Sequence, residues 1–402
     1  MNNKWIRAAL PAILIHISVG TVYCWSAFKQ MVAEQIHMST FSVGWAFSLS
    51  IFFLGISAAF AGRAVEKNIH KSSLIACMFF SAGMIGTGLI LQYFTGVIAL
   101  IGIYLFYGVI MGIGLGVGYL TPVKTLMLWF KDNKGLATGI SIMGFGLAKA
   151  IATPIMNLLQ DRVGISAMFL ILGIVYFVIM FIGHLLLKKP DNWVEEDNNN
   201  RLSILTIFKD KQLLKIWLMF YINIHCGLMI ISYEKQILSV VFATSASLMT
   251  ILNIVPSCTA AANALGRIGY SSLSDKFRCR IITYDIIFIS CISILAAMLI
   301  TSKTCFNDIY TMHTVFLVLS LIIINLGYGG GFSTLPALLS EKYGMKNISQ
   351  LHGIVLTAWA VAGITGNNMT ELILSQFNGT YYIVFIVTCV LYIIANVICN
   401  YI

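Results

Sequence analysis

The stretch Gly108–Ala148, GVIMGIGLGVGYLTPVKTLMLWFKDNKGLATGISIMGFGLA, predicts two membrane-spanning helices joined by a short charged turn. Glycines at 108, 112 and 116 recur every four residues and so share one helix face, where a neighbouring backbone can approach closely. Pro122 is expected to kink this first helix, because its ring removes an N–H and clashes with the preceding turn. The second helix has a face thinned by Gly139, Gly144 and Gly146.

The same layout returns in the second half of the chain, in Phe332–Ile354. A shift of 214 residues places Pro122 on Pro336 and Gly139 on Gly353, since 336 − 122 and 353 − 139 both equal 214. Each half therefore carries a proline-containing helix, a short charged turn and a small-residue helix. A weak repeat in parallel orientation is typical of transporters built from two similar halves.

The composition indicates a membrane protein. Hydrophobic residues make up 59% of the 402 residues and charged residues only 10%, against about 25% charged residues in an ordinary soluble domain. Apolar runs of about 20 residues, each long enough to cross a bilayer, recur along the chain. The net charge of +10 is distributed over alternate loops rather than one face, which argues against nucleic-acid binding.

The apolar runs predict an all-α protein with twelve spans, at about residues 7–29, 43–64, 72–92, 97–128, 135–158, 166–187, 213–233, 246–274, 281–301, 311–340, 348–376 and 380–401. Lys and Arg concentrate on one side, so both termini are expected to be cytoplasmic. The side with few bases has Lys29, Arg162, Lys235 and Lys303.

The polar segment between the sixth and seventh spans divides the chain into two predicted six-helix bundles. We expect an N-terminal bundle at 1–187, a solvated cytoplasmic linker at 188–212 and a C-terminal bundle at 213–402. A regulatory role for the linker is the less favoured alternative. The protein is expected to be a monomer in the lipid bilayer, in the cell (inner) membrane.

Sequence signatures of catalysis are absent. There is no HExxH, P-loop or GxSxG motif, and the glycine run at 112–116 follows no predicted strand. The nine cysteines lie mostly in apolar runs, without CxxC or zinc-type spacing, and are expected to be reduced thiols. The sequence therefore predicts no enzymatic activity, no cofactor and no metal.

Three bases at membrane depth, Lys124, Lys149 and Arg267, are the strongest functional signal. Arg267 lies nine residues from Lys276, about 13 Å along a helix, and Lys149 lies fifteen from Lys134, about 22 Å. Ionisable groups at such depth are costly and usually face a cavity or a partner. Buried cations with few acids nearby favour an anionic substrate, and a carboxylate matches a planar guanidinium. For Lys124, snorkelling to the interface is the alternative.

Polar and aromatic side chains in the spans complete the candidate binding site. Each of the aromatic residues alone is more often packing than ligand contact. His225 is the candidate for proton coupling, whereas His16 and His184 are interpreted as structural. The aromatic candidates are Tyr23, Trp25, Tyr119, Tyr328 and Trp359.

Two loops predict a gate on the cytoplasmic side. AGRAVEKNIHK follows the second span and SSLSDKFRCR follows the eighth, and each combines an acid with bases. Glu66, Asp275 and Arg278 are the candidates for charge pairs that latch neighbouring helices together. The alternative is that these charges only set the topology, although topology requires the bases and not the acids.

Several segments resemble the oxalate/formate antiporter family of the major facilitator superfamily. They are GTVYCWSAF (Gly20–Phe28), GIGLGVGYLTPV with the following WF and KGLATGI, NALGRIGYSSLSDKFRCR (Asn263–Arg280) and LHGIVLTAWAVAGITG (Leu351–Gly366). The resemblance covers nearly the whole chain. It implies two six-helix bundles, alternating access and a central carboxylate site, with the family's substrate arginine at Arg267.

Two positions depart from the family pattern. Related monocarboxylate transporters have an Asp where this chain has Asn263, and the family's oxalate carrier has LTAKA where this chain has LTAWA, with Trp359 in place of the lysine. The loss of that lysine favours a monocarboxylate over a dianion. Lys124 or Lys149 would restore a second cation and with it a dicarboxylate.

The sequence thus predicts a secondary transporter of small organic anions such as pyruvate, lactate, formate or oxalate, working by proton symport or anion exchange. A transporter-like membrane sensor of a carboxylate and a carrier of a different small metabolite remain the alternatives. The expected partners are the carboxylate, protons and lipid.

Overall fold

A computed structural model describes residues 3–194, 202–242, 248–301, 307–377 and 379–402. Residues 195–201 of the predicted linker, and the loop base Lys303, lie outside the described residues. Regular structure in the described ranges is entirely helical, as expected for a chain that satisfies its backbone hydrogen bonds inside a bilayer.

The first part of the chain forms a series of long helices. The segment Lys134–Leu186 leaves the helical region at Gly164, where φ is 80°, so it consists of helix α5 before Gly164 and helix α6 after it. Glycine tolerates this positive φ because it has no Cβ. The preceding helices are α1 (Trp5–Ile36), α2 (Thr40–Lys67), α3 (Ile69–Tyr93) and α4 (Gly96–Trp129).

The second part of the chain continues in the same way. Short helices at Thr206–Lys209 and Glu234–Val241 lie before and after α7. The long helices are α7 (Lys211–Ile231), α8 (Leu248–Ser274), α9 (Ile281–Thr301), α10 (Asn307–Tyr343), α11 (Ile348–Gln376) and α12 (Tyr381–Cys399).

Ten helical segments of the described ranges are long and apolar enough to cross a membrane. The broken segment Lys134–Leu186 is one of the ten, and α8 is not among them. The chain is therefore a multi-pass integral membrane protein. The sequence-based bounds agree with most helices to within a few residues, but α1 extends to Ile36, beyond the predicted end at 29.

The glycine faces act as predicted, because they bring helix backbones together. On α4, Gly108 and Gly112 pack on α2, where an added Cβ at either position would lie 2.9 Å from the Cβ of Leu49 or Phe53. On α5, Gly139 faces the backbone of Arg267 in α8. The α-helix Met111–Trp129 continues through Pro122, and a π-helix at Tyr104–Ile110 precedes it.

Both ends of the described chain lie at the same end of the helix bundle. The backbone N–H of Lys188, just after α6, donates to the carbonyl of Arg7 at 3.0 Å, and the Lys342 ammonium donates to the Ile402 carbonyl at 3.3 Å. We call this end, where the loops after α2, α4, α6, α8 and α10 lie, the basic end.

Candidate functional site

Arg267 lies at the centre of the bundle, on α8. Its side chain is 1% exposed. Nε donates to Oδ1 of Asn263 at 2.9 Å, and Nη1 donates to the carbonyl of Ile142 on α5 at 3.3 Å. Asn263 is one helical turn from Arg267 on the same face, so it can hold the guanidinium in position.

Two aromatic rings flank the guanidinium. Its carbon lies 5.7 Å from the ring centre of Phe145 and 5.4 Å from that of Phe332. Ring faces attract a cation, but they do not neutralise it. The polar partners described for Arg267 are neutral, so the positive charge stays uncompensated in a setting where it is costly. An anion is the natural missing partner.

A pair of tyrosines bridges the two parts of the chain beside this arginine. The hydroxyl of Tyr23 on α1 and that of Tyr328 on α10 share a hydrogen bond of 2.9 Å. Tyr23 also interacts with the Arg267 guanidinium. Helices α1, α5, α8 and α10 therefore meet at one point.

Trp359 on α11 closes the cluster from another side. Its ring centre lies 4.4 Å from that of Phe332, 5.6 Å from Phe145 and 5.5 Å from Tyr119 on α4. The Trp359 indole N–H and the Tyr119 hydroxyl are buried and have no hydrogen-bond partner in the described structure. Buried polar atoms without partners are rare and call for a ligand or a water.

His352 is a member of this region that sequence analysis missed. It lies on α11, two helical turns before Trp359, with its ring centre 5.8 Å from that of Tyr119 and its Nε2 without a partner. Its spacing of seven residues from Trp359 places both side chains on one helix face, and this pattern in the sequence could have identified it. The His16 ring also packs on Tyr119, with ring centres 5.2 Å apart, and its Nδ1 lies 2.5 Å from the Ser141 carbonyl, which fits a structural role.

Lys149 lies on α5, towards the end opposite the basic end. It is three residues beyond Gly146, where an added Cβ would be 2.8 Å from Arg267 Nε, so Lys149 follows on the same side of the helix about one turn away. Its side chain is half-buried, and its electrostatic neighbours are Cys24, Glu234 and Lys235. Glu371, an acid on α11, is not among them.

Lys124 has a different environment from Arg267. Its ammonium forms an ion pair with Glu66, donates to the Val194 carbonyl at 2.6 Å and lies 4.7 Å from the centre of the Trp193 ring. Lys124 and Glu66 are 1% and 0% exposed. This pair belongs to the basic end, so the described ion pair of Lys124 is with a predicted gate acid.

The two predicted gate acids make equivalent contacts at the basic end. Glu66, at the end of α2, accepts a hydrogen bond of 2.9 Å from the backbone N–H of Ser349, at the start of α11. Asp275, just after α8, accepts bonds of 2.8 Å from the N–H groups of Gly135 and Leu136, at the start of α5. Each carboxylate thus satisfies free N–H groups and the positive dipole end of a helix from the other part of the chain.

The basic partner of Asp275 differs from the predicted one. Arg280 lies 2.7 Å from Asp275 and 3.6 Å from Glu341, whereas Arg278 is exposed and shows no such contact. The two arginines are two residues apart in a loop. Loop geometry, which spacing alone does not give, selects between them.

Two further candidates lie away from Arg267. Trp25 packs on Tyr107 with ring centres 4.2 Å apart, beside a cavity of about 10 Å³ within the first six helices. His225 on α7 hydrogen-bonds to Thr365 at 2.9 Å and to Tyr221 at 3.3 Å. No group of three or more His, Cys, Asp or Glu side chains suited to a metal ion occurs in the described ranges.

Comparisons with known proteins agree with the helical membrane fold. The family model described as Major Facilitator Superfamily matches residues 12–367. The chain is 27% identical to the MFS-type transporter YhjX of Escherichia coli K12, over 90% of this chain and 86% of that protein. It is 25% identical to the oxalate:formate antiporter of Oxalobacter formigenes, over 94% and 86%. A bacterial homologue of the iron transporter ferroportin has the same fold, with a TM-score of 0.75, 11% identity and coverage of 98% and 97%.

Proposed function

Because the chain belongs to the Major Facilitator Superfamily, we propose that it is a secondary transporter of small carboxylates that works by alternating access. In this proposal twelve helices form two bundles, at 1–187 and 213–402, joined by a linker at 188–212. The basic end is the cytoplasmic side, by the distribution of Lys and Arg, and the membrane is the cell (inner) membrane.

The observation that carries the proposal is the environment of Arg267. The guanidinium is buried at the meeting point of α1, α5, α8 and α10, and its described polar partners are neutral. A carboxylate would supply the missing negative charge and accept two parallel N–H bonds from the planar fork. The oxalate:formate antiporter relative supports the same substrate class.

The neighbouring side chains would select and enclose the anion. The Tyr119 hydroxyl and the Trp359 indole N–H are buried donors without partners, so each can donate to a carboxylate oxygen. The rings of Phe145 and Phe332 keep water away, which strengthens the charge interaction. A monocarboxylate such as pyruvate, lactate or formate needs Arg267 alone, whereas a dianion such as oxalate also needs Lys149.

Alternating access would use the contacts at the basic end as a latch. Glu66 on Ser349 and Asp275 on Gly135 each join a helix end in one proposed bundle to a helix start in the other. Lys124 then neutralises Glu66 rather than the substrate. Release of both contacts would open the cytoplasmic side, and either proton symport or anion exchange would complete the cycle.

A substrate panel in proteoliposomes tests the function. Uptake of labelled pyruvate, lactate, formate and oxalate is measured with and without an imposed pH gradient and with each anion preloaded inside. We expect uptake of at least one carboxylate in the wild type and none in Arg267→Gln, with Arg278→Gln as an exposed-arginine control. Saturable binding without flux would indicate a sensor instead, and absence of both binding and flux would indicate a different metabolite.

A further inference from the structure

Glu234 is a buried carboxylate that the anion site does not yet explain. It lies just beyond α7, at the end of the bundle opposite the basic end, and is 8% exposed. Oε1 accepts a hydrogen bond of 2.7 Å from the Thr259 hydroxyl on α8. A buried carboxylate is costly unless a hydrogen bond, a cation or a proton stabilises it.

Lys149 is the membrane-depth cation that acts on this carboxylate. The two groups interact electrostatically, and each appears among the charges that act on the other. Lys149 belongs to α5 and Glu234 follows α7, so the interaction joins the first six helices to the last six. No hydrogen bond or ion pair within 4 Å is described for Lys149, so this interaction operates across a gap.

A ladder of polar groups on α8 connects Glu234 with Arg267. Thr259, Asn263 and Arg267 follow at intervals of four residues, so they lie on one face, and the whole ladder spans about 12 Å. Thr259 holds Glu234 at one end, and Asn263 holds Arg267 at the other. Lys149 faces the same path from α5, one turn beyond Gly146, which packs on the arginine.

We propose that Glu234 is the proton-binding site of this transporter, and that its protonation releases Lys149 to act as the second cation for a carboxylate held by Arg267. The proposal rests on the proposed function for its substrate class. Asn263 occupies the ladder position nearest the arginine but carries no titratable proton, so the titratable carboxylate on this path lies one turn further from the arginine along α8, at the side chain that Thr259 holds.

The charge balance explains how a proton and an anion are coupled. With Glu234 ionised, Arg267, Lys149 and Glu234 sum to +1 + 1 − 1 = +1, which matches a monoanion. When a proton binds a Glu234 oxygen, the carboxyl becomes neutral and the sum rises to +2, which matches a dianion. The proton leaves again when the anion dissociates and Lys149 needs its counter-charge, so affinity for a dianion falls as pH rises.

The remaining charged and titratable groups around Glu234 do not replace it. Lys235 is exposed and is next in sequence. Cys24, which neighbours Lys149, carries no positive charge. Glu371 is exposed and acts on Tyr233 rather than on Lys149. His225 bonds to Thr365 and Tyr221, away from the ladder.

A first measurement detects the proton without any substrate. Infrared difference spectra of the reconstituted full-length protein are recorded through a pH titration, since a protonated carboxyl has a C=O stretch that a carboxylate lacks. Exposed carboxyls titrate at about pH 4, so the titration is followed above that range. There we expect a titrating carboxyl band in the wild type that is absent in Glu234→Gln and retained in Glu371→Gln, an exposed-acid control. An unchanged band in Glu234→Gln overturns the proposal.

A second measurement tests the coupling, with oxalate as the dianion probe and formate as the monoanion probe. In counterflow at equal pH on both sides, the apparent affinity of the wild type for oxalate should fall about tenfold, equivalent to about 1.4 kcal/mol, from acid to alkaline pH. Glu234→Gln, which resembles the protonated form, should hold the acid-pH affinity throughout, while Glu234→Asp should keep the pH dependence. Formate affinity should change less.

These outcomes distinguish a failure of the proton site at Glu234 from a failure of the proposed carboxylate substrate. Equal pH dependence in the wild type and Glu234→Gln, or none in either, overturns the role of Glu234 while leaving carboxylate transport intact. A titrating band that depends on Glu234, together with absence of any carboxylate flux or binding, supports the proton site and overturns the proposed substrate. Monodisperse elution of each variant checks its folding.

Discussion

The hydroxyl groups of Tyr23 and Tyr328 share a hydrogen bond of 2.9 Å, although the residues are 305 positions apart in the chain. Tyr23 lies on α1 and Tyr328 on α10, and Tyr23 also interacts with Arg267. A bond at this place joins the two proposed bundles directly beside the proposed substrate position. A substrate bound beside this hydrogen bond would therefore affect both bundles at the same time.

Loss of this bond should weaken closure around the substrate. Tyr328→Phe removes one hydroxyl and leaves the ring in place, at a typical cost of about 1 kcal/mol for one hydrogen bond, or about fivefold in an equilibrium. We expect transport at subsaturating substrate to fall by about that factor, with Tyr93→Phe, an exposed tyrosine, unchanged. Equal activity of both variants would show that the bond does not contribute to closure.

Substitution of Arg267 by lysine should abolish carboxylate transport while leaving expression near normal. Lysine keeps the positive charge but loses the planar fork that donates two N–H bonds to a carboxylate, and it cannot keep the bond from Nε to Asn263. Uptake by Arg267→Lys in proteoliposomes is the measurement, with Arg278→Lys as the control. Wild-type flux in Arg267→Lys would give this arginine a structural role.

Removal of the Asp275 carboxylate should open the basic end more often. Asp275→Asn loses the charge that faces two backbone N–H groups and Arg280. Spin labels on the exposed positions Lys131 and Lys276 should then report a larger population at long distance by pulsed electron resonance. Asp132→Asn, an exposed acid in the same turn as Lys131, should leave the distances unchanged. Unaltered distances in Asp275→Asn would contradict the latch.

Substitution of His225 tests the alternative route for protons. Its ring is held by Thr365 and Tyr221, and nothing described connects it with the ladder on α8. We therefore expect His225→Gln to keep full uptake driven by a pH gradient. Loss of gradient-driven uptake, with anion counterflow intact, would move proton coupling from Glu234 to the histidine.

Substitution of Lys149 separates the two substrate classes. Lys149→Met keeps an unbranched side chain of similar length and removes the charge, so it should reduce transport of oxalate while sparing formate. Uptake of the two anions is measured side by side. Lys235→Met serves as the control, because Lys235 is an exposed lysine that also neighbours Glu234. Unchanged flux of both anions would return Lys149 to a packing or snorkelling role.

Sequence alone determined the class of protein, the approximate helices and the close-packed glycine faces. These follow from local rules, because a bilayer demands long apolar helices and a four-residue spacing defines one helix face. Arg267 could also be identified from the sequence. Its depth in the membrane follows from the nine residues that separate it from the loop base Lys276 along one helix. The family resemblance came from short contiguous motifs, which the match over residues 12–367 bears out at the level of the superfamily.

Only the tertiary structure decided which buried charges meet. Lys124 and Lys149 look alike in sequence, but helix packing gives Lys124 to Glu66 and leaves Lys149 near Glu234. It also selects Arg280 over Arg278 for Asp275, buries Glu234 just past a predicted span and brings His352 to Tyr119. Contacts between side chains hundreds of residues apart depend on helix rotation and tilt, and a helical period fixes neither across two different helices.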